Sequence, residues 1–198
     1  MLEILVNTFD QISASIQENI SFLLAIILAL WVIQVVNKIF GYRLNTLGIY
    51  PRSLHGLIGI LASPFLHGSF QHLFFNTLPL LILGALVLVN GKPEFLIVTA
   101  IIMGAGGFAT WLFGRRVIHV GASGVILGYW GYLLFRAIEE KSALTIVLGL
   151  LCLYYFGSLA LNLFPREERV SWEGHLFGFL SGLLASYLIT HHFFALVS

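Results

Sequence analysis

Residues 121–138 read GASGVILGYWGYLLFRAI, eighteen positions with a single charge, Arg136. A helix rises about 1.5 Å per residue. The run therefore reaches about 27 Å, close to the ~30 Å hydrocarbon core of a bilayer. It opens on the small residues Gly121, Ala122, Ser123 and Gly124 and closes on Glu139, Glu140 and Lys141. Five more stretches have this character, at roughly 21–40, 70–90, 94–113, 142–163 and 174–195 by the same length criterion. Polar turns separate them: Asn90-Gly91-Lys92-Pro93, Gly114-Arg115-Arg116, Glu139-Glu140-Lys141 and Pro165-Arg166-Glu167-Glu168-Arg169.

The composition agrees. Of 198 residues, 59% are apolar and only 10% are charged, against about 25% charged in a soluble domain. Backbone polar groups in lipid must be paired within their own segment, so the spans are helices. The expected fold is an all-α membrane protein, a six-helix bundle forming one domain over residues 1–198. Residues 1–20 are expected as an amphipathic lead-in and 21–198 as the six-span core. In the lead-in, Leu2, Leu5, Phe9, Ile12, Ile16 and Ile20 recur at helical spacing. The segment either lies in the membrane interface or packs on the protein before the first span, and the second reading is preferred. It lacks the basic start of a secretory signal, since the first basic residue is Lys38.

Residues 41–69 are too long for a turn and too apolar for a solvated loop. They are expected to fold against the helices or within one leaflet. Arg52 is the informative polar residue there, either a donor to carbonyls or a headgroup contact. A net charge of +1 gives no reason to expect nucleic acid as a partner. The single cysteine, Cys152, allows no disulfide and no cysteine-bound metal. Lys38, Arg43, Arg52, Arg115, Arg116, Arg166 and Arg169 gather at one end of the spans, and only Lys92, Arg136 and Lys141 at the other. The positive-inside rule would put the first end in the cytoplasm.

Polar groups inside a membrane are costly, so each is a functional candidate. His72 and Asn76 are four apart on one helix face. A converging pair of neutral donors suits a developing oxyanion, although His and Asn also join helices by ordinary hydrogen bonds. His67 stands at the boundary, where a structural role is expected. Ser123 sits at a helix start, where free N–H groups favour negative charge. Gly121 and Gly124 flank it and permit close approach. The Gly-x-Ser-x-Gly elbow is not present, because residue 125 is Val. His175, Gly178 and Gly182 share one face of the last span. With Gly124 and Gly128 they form two small-residue stripes along which helices can press together. The fourth and sixth spans run parallel, so Ser123 and His175 meet at one level. A serine needs a base within hydrogen-bond reach to become a nucleophile. Histidine is the usual one, and no acid is placed to orient it. A Ser–His dyad is expected, with Tyr129 as a candidate to pack on the imidazole.

His67-x4-His72-x3-Asn76, Gly121-Ala122-Ser123-Gly124 and His175-x2-Gly178-x3-Gly182, together with six spans and a long first loop, resemble the rhomboid family of intramembrane serine proteases. Arg52 resembles the family's first-loop arginine, although Pro51 stands where tryptophan is usual. The resemblance implies that Ser123 attacks the peptide carbonyl and His175 carries its proton. The Ser123 amide, Asn76 and His72 would hold the oxyanion, with no metal and no cofactor. It further implies single-pass membrane-protein substrates and residence in the plasma (inner) membrane of a prokaryote. The active site would face the extracytoplasmic side, against the basic-residue count. Residues 164–173 would form a lid, and the fifth span, with Tyr154, Tyr155 and Phe156, a lateral gate. Two rivals stand beside this reading. One is an inactive relative that binds membrane-protein clients. The other is a transporter or metal-handling protein using His55, His67, His72, His119 and His175, which lacks a His-Glu-x-x-His pair.

Overall fold

The computed structural model of the chain describes residues 2–164 and 171–197, with side chains over 3–164 and 171–191. It is an all-α membrane bundle of six long helical stretches. These are α1 (Leu2–Ile39), α2 (Phe70–Leu88), α3 (Lys92–Phe113), α4 (Ser123–Glu140), α5 (Ala143–Leu163) and α6 (Trp172–Val197). Each lies within a few residues of its predicted span, apart from the early start of α1. Among the described residues no β-strand forms, only an isolated bridge between Ile49 and His119. By length and hydropathy α1, α2, α3 and α5 are long and apolar enough to cross a membrane. The remaining two, α4 and α6, pack against each other more extensively than any other pair.

The first twenty residues are not a separate element. No glycine or proline interrupts residues 2–39, and α1 runs through them unbroken. At about 1.5 Å per residue its 38 residues span about 57 Å, well beyond the ~30 Å apolar core. Ile12 is buried in the bundle, and the Ser15 hydroxyl donates to the Leu88 carbonyl at the end of α2 (3.1 Å). These two contacts tie the segment to the bundle, the second at the end of α2.

The seam between α4 and α6 is backbone against backbone. A methyl group at Gly178 would land on the Gly124 backbone, and one at Gly182 on that of Gly128. Small residues permit this approach, and dispersion and close packing hold it in lipid. Far from Ser123, α4 is pinned by charge. Arg136 pairs with Glu94 of α3 (3.0 Å) and with Glu140 (2.6 Å), while the Tyr132 hydroxyl bonds both Glu94 and Arg136.

Residues 41–69 fold into short helical turns at Arg43–Leu47, His55–Leu57, Gly59–Ala62 and Ser63–Phe65. Buried Asn37 donates to Asn45 (2.9 Å), and Asn45 donates to the His67 carbonyl (3.3 Å). Arg52 donates out of the loop, to the Leu112 carbonyl at the end of α3 (3.0 Å). Such terminal carbonyls lack intrahelical partners. Trp111 returns the tie by donating to the Ser53 carbonyl (2.8 Å). The loop is thereby strapped across the end of the bundle that carries Ser123.

Candidate active site

Ser123 begins α4. The approach to it is fixed residue by residue. Gly121 has φ +125°, and a Cβ there would stand 2.7 Å from His72 Cε1 and 2.9 Å from His72 Nε2. Only glycine satisfies both conditions. The Gly121 amide donates to the Ser63 carbonyl (2.9 Å) and the Ala122 amide to His67 Nε2 (3.3 Å). His67 is fully buried. Burial, helped by neighbouring His72, pushes its pKa down to about 3. The ring stays neutral and keeps Nε2 free to accept. The boundary histidine thus holds the backbone just before Ser123.

His175 lies in the first turn of α6. Its Nε2 is 2.8 Å from Ser123 Oγ, and its Nδ1 is 3.0 Å from the Asn162 carbonyl oxygen. A carbonyl can only accept, so Nδ1 carries the proton. In the neutral ring Nε2 is then the acceptor for the serine hydroxyl. Asn162 sits in the 3₁₀ stretch Gly157–Leu163 that ends α5. There the change of hydrogen-bond pattern alters which carbonyls are used within the helix. Tyr129 does not orient the imidazole. Its hydroxyl pairs with Thr99 (2.6 Å) and its ring packs on Phe95 of α3. Asn162 carried no signal in the sequence, because every residue has a carbonyl and only the fold selects one.

His72 and Asn76 converge on the backbone before Ser123. Asn76 Nδ2 would be 3.6 Å from a Cβ at Gly121. That nitrogen is buried and has no hydrogen-bond partner among the described residues. A buried donor left unpaired costs free energy, and it is available to an oxygen arriving from outside. A cavity of about 50 Å³ opens beside Ser123, lined in part by Thr110, His119, Gly121 and Ser171. A cavity needs roughly 10–15 Å³ of such space to hold a water, so this one is roomy enough to admit water.

Arg52 lies outside this cluster and supports the loop above it. Gly124, Gly178 and Gly182 form the seam that sets the spacing of α4 and α6. Among the described residues no three His, Cys, Asp or Glu side chains gather as a metal site would require. Tyr154 and Tyr155 face outward, largely exposed, while Phe156 turns inward. Of the expected lid, residues 165–170 lie outside the described residues, as do the arginines at 166 and 169. Within the rest of it, Ser171 and Glu173 each contact the α3–α4 loop, at His119 and Arg115.

The Rhomboid domain family matches residues 54–192. An uncharacterised protein of Mycobacterium tuberculosis (strain H37Rv), Rv1337, is 36% identical over 177 residues, 85% of this chain and 74% of that protein. One from Mycobacterium leprae, ML1171, is 35% identical over 170 residues, 81% and 67% of the two chains. A Bacillus subtilis protein named "Putative rhomboid protease YdcA" is 32% identical over 134 residues, 62% of each.

Proposed function

The chain belongs to the rhomboid family, and on that footing we propose that it is an intramembrane serine protease with Ser123 as nucleophile and His175 as general base. The observation that carries this reading is the 2.8 Å contact between His175 Nε2 and the Ser123 hydroxyl, with the imidazole oriented from behind by the Asn162 carbonyl. Ser123 Oγ attacks the scissile carbonyl as His175 Nε2 takes its proton. The imidazolium then gives that proton to the leaving amine. Water enters the vacated side, His175 deprotonates it as it attacks the acyl-enzyme ester, and the imidazolium returns that proton to Ser123 Oγ as the ester bond breaks and the new carboxyl terminus leaves. The Ser123 amide, Asn76 and His72 receive the oxyanion, a role supported by the unpaired Asn76 Nδ2. His67, Gly121, Gly124, Gly178, Gly182 and Arg52 hold these groups in place. The chemistry needs no metal and no cofactor.

The substrate class is single-pass membrane proteins whose helix is weakened near the membrane boundary, since a peptide bond inside a regular helix is closed to attack. The bilayer is the working solvent, and bacterial relatives support a prokaryotic plasma (inner) membrane. The site opens to the extracytoplasmic face, as the rhomboid resemblance implies. The basic residues at that end count against this orientation. Labelling a cysteine placed at Arg116 in intact cells tests it, and a cysteine reached only after lysis would reverse it.

The deciding experiment uses purified protein in lipid with a generic single-span substrate. Native protein should cut and Ser123→Ala should not. Equal cleavage by both would reject the assignment.

A further inference from the structure

The α4–α6 seam sets how closely Ser123 and His175 approach, but glycine against glycine offers few interlocking side chains. Rotation of α6 about its axis, or sliding along it, would swing the imidazole off the hydroxyl. At the far end of the seam Glu139 of α4 accepts from the Ser186 hydroxyl of α6 (2.7 Å), and midway Trp130 packs on Phe179. At the end that carries Ser123 the register needs its own ties, and among the described residues two side-chain cross-links supply them, both running from the α3–α4 loop to the start of α6.

In the first, Arg115 grips Glu173. The Arg115 amide reaches Glu173 Oε1 at 3.2 Å, Nε reaches the same oxygen at 2.5 Å, and Nη2 reaches Oε2 at 3.1 Å. This is a two-pronged guanidinium–carboxylate pair, the geometrically demanding kind. Glu173 is 3% exposed and stands two residues before His175. In the second, His119 holds Ser171. His119 Nε2 faces the Arg115 carbonyl at 2.9 Å and so carries the proton, leaving Nδ1 to accept from the Ser171 hydroxyl at 2.5 Å. The Ser171 oxygen in turn accepts from the Gly174 amide (3.3 Å), and the Ser171 carbonyl accepts from the amide of His175 itself (3.2 Å). The orphan donors of the α6 N-terminus are therefore capped by a residue that the nucleophile's own loop holds.

We propose that Arg115 and His119 are positioning residues for the general base: through Glu173 and Ser171 they register α6 so that the loop presenting Ser123 also aims His175. This deepens the protease reading and rests on it. Arg115 and Glu173 stand outside the cavity beside Ser123, whereas His119 and Ser171 line it, so the Arg115–Glu173 pair isolates positioning most cleanly. Removing any of the four should act on turnover.

The test measures kcat and KM in lipid for Arg115→Ala, Glu173→Gln, His119→Ala, Ser171→Ala and the two paired double variants. Each single change should lower kcat about 10–100-fold, the scale of a small misplacement at a reacting centre, with KM within about twofold. Within each pair the loss in the double variant should be less than the product of the losses in the two singles, because the members share a contact. Ser171→Thr keeps the hydroxyl and should restore most of the turnover lost in Ser171→Ala. Unchanged kcat in both pairs, or a loss confined to KM, would overturn the proposal. If an alanine variant fails to fold, the size-conserving Glu173→Gln and His119→Gln still decide it. Native protein that neither cuts nor labels with a fluorophosphonate would instead sink the protease reading. Active native protein with indifferent variants sinks this inference alone.

Discussion

The imidazole of His175 is oriented by the carbonyl of Asn162, 3.0 Å from Nδ1, and among the described residues no carboxylate bonds it. A backbone dipole can fix the tautomer and the ring plane, but it carries no full charge to stabilise the imidazolium. Turnover should therefore rest on the dyad as a unit. His175→Ala should be as inactive as Ser123→Ala, and the double variant no worse than either, as for groups that act together. Fluorophosphonate labelling kinetics across the three variants check this. Substantial labelling of Ser123 without His175 would contradict it.

Asn76 Nδ2 is buried without a partner among the described residues. In the proposed mechanism its value appears only when an oxyanion forms. Asn76→Ala should lower kcat about 10²-fold, the usual loss for one oxyanion donor, with little change in KM. Because the donor is unsatisfied at rest, its removal should leave thermal stability unchanged or slightly raised. A large stability loss with an unchanged rate would assign Asn76 to packing instead.

Gly178 faces the Gly124 backbone so closely that one added methyl has no room. Here the neighbour is main chain, which cannot rotate away. Gly178→Ala should push α6 from α4, reduce cleavage at least about 10-fold and destabilise by about 1–3 kcal/mol, the range for overpacking. The comparison is a thermal melt beside a cleavage assay. Loss of activity without loss of stability would show that the seam yields locally.

Burial lowers the His67 pKa to about 3, well below its ordinary 6.5. Burial also holds His119 below that ordinary value. An unfolded chain would take up a proton at these rings near pH 6.5 while the folded chain refuses it. The stability they contribute is whole above pH 6.5 and is lost as pH falls from 6.5 toward 3 for His67, with a slope of up to about 1.4 kcal/mol per pH unit. Melting temperature against pH should fall through that window in the native protein and less steeply in His67→Gln. Parallel curves would place the titration elsewhere.

Much of this was legible in the residues. Apolar runs gave six helices, the parity of the spans made α4 and α6 parallel, and their glycines marked the seam that joins Ser123 to His175. Other parts had no local signature. The lead-in at 2–20 joins α1 without a break, since amphipathic periodicity says where a helix faces and not where it starts. Arg52 bonds the end of α3, a partner set by the fold of residues 41–69. Tyr129 was an obvious aromatic candidate, but its side of α4 faces Thr99 and Phe95. The ties of His119 to Ser171 and Arg115 to Glu173 join positions more than fifty residues apart, which no spacing rule reaches.

The bare contact between Gly124 and Gly178 has a bearing on how the protein meets bilayers of different thickness. Helices adapt to a thinner membrane chiefly by tilting. Two rods in main-chain contact and cross-linked at both ends lean as one body, carrying hydroxyl and imidazole together, while the outer helices take up the adjustment. The spacing of Ser123 and His175 is thus insulated from the lipid by what these positions lack.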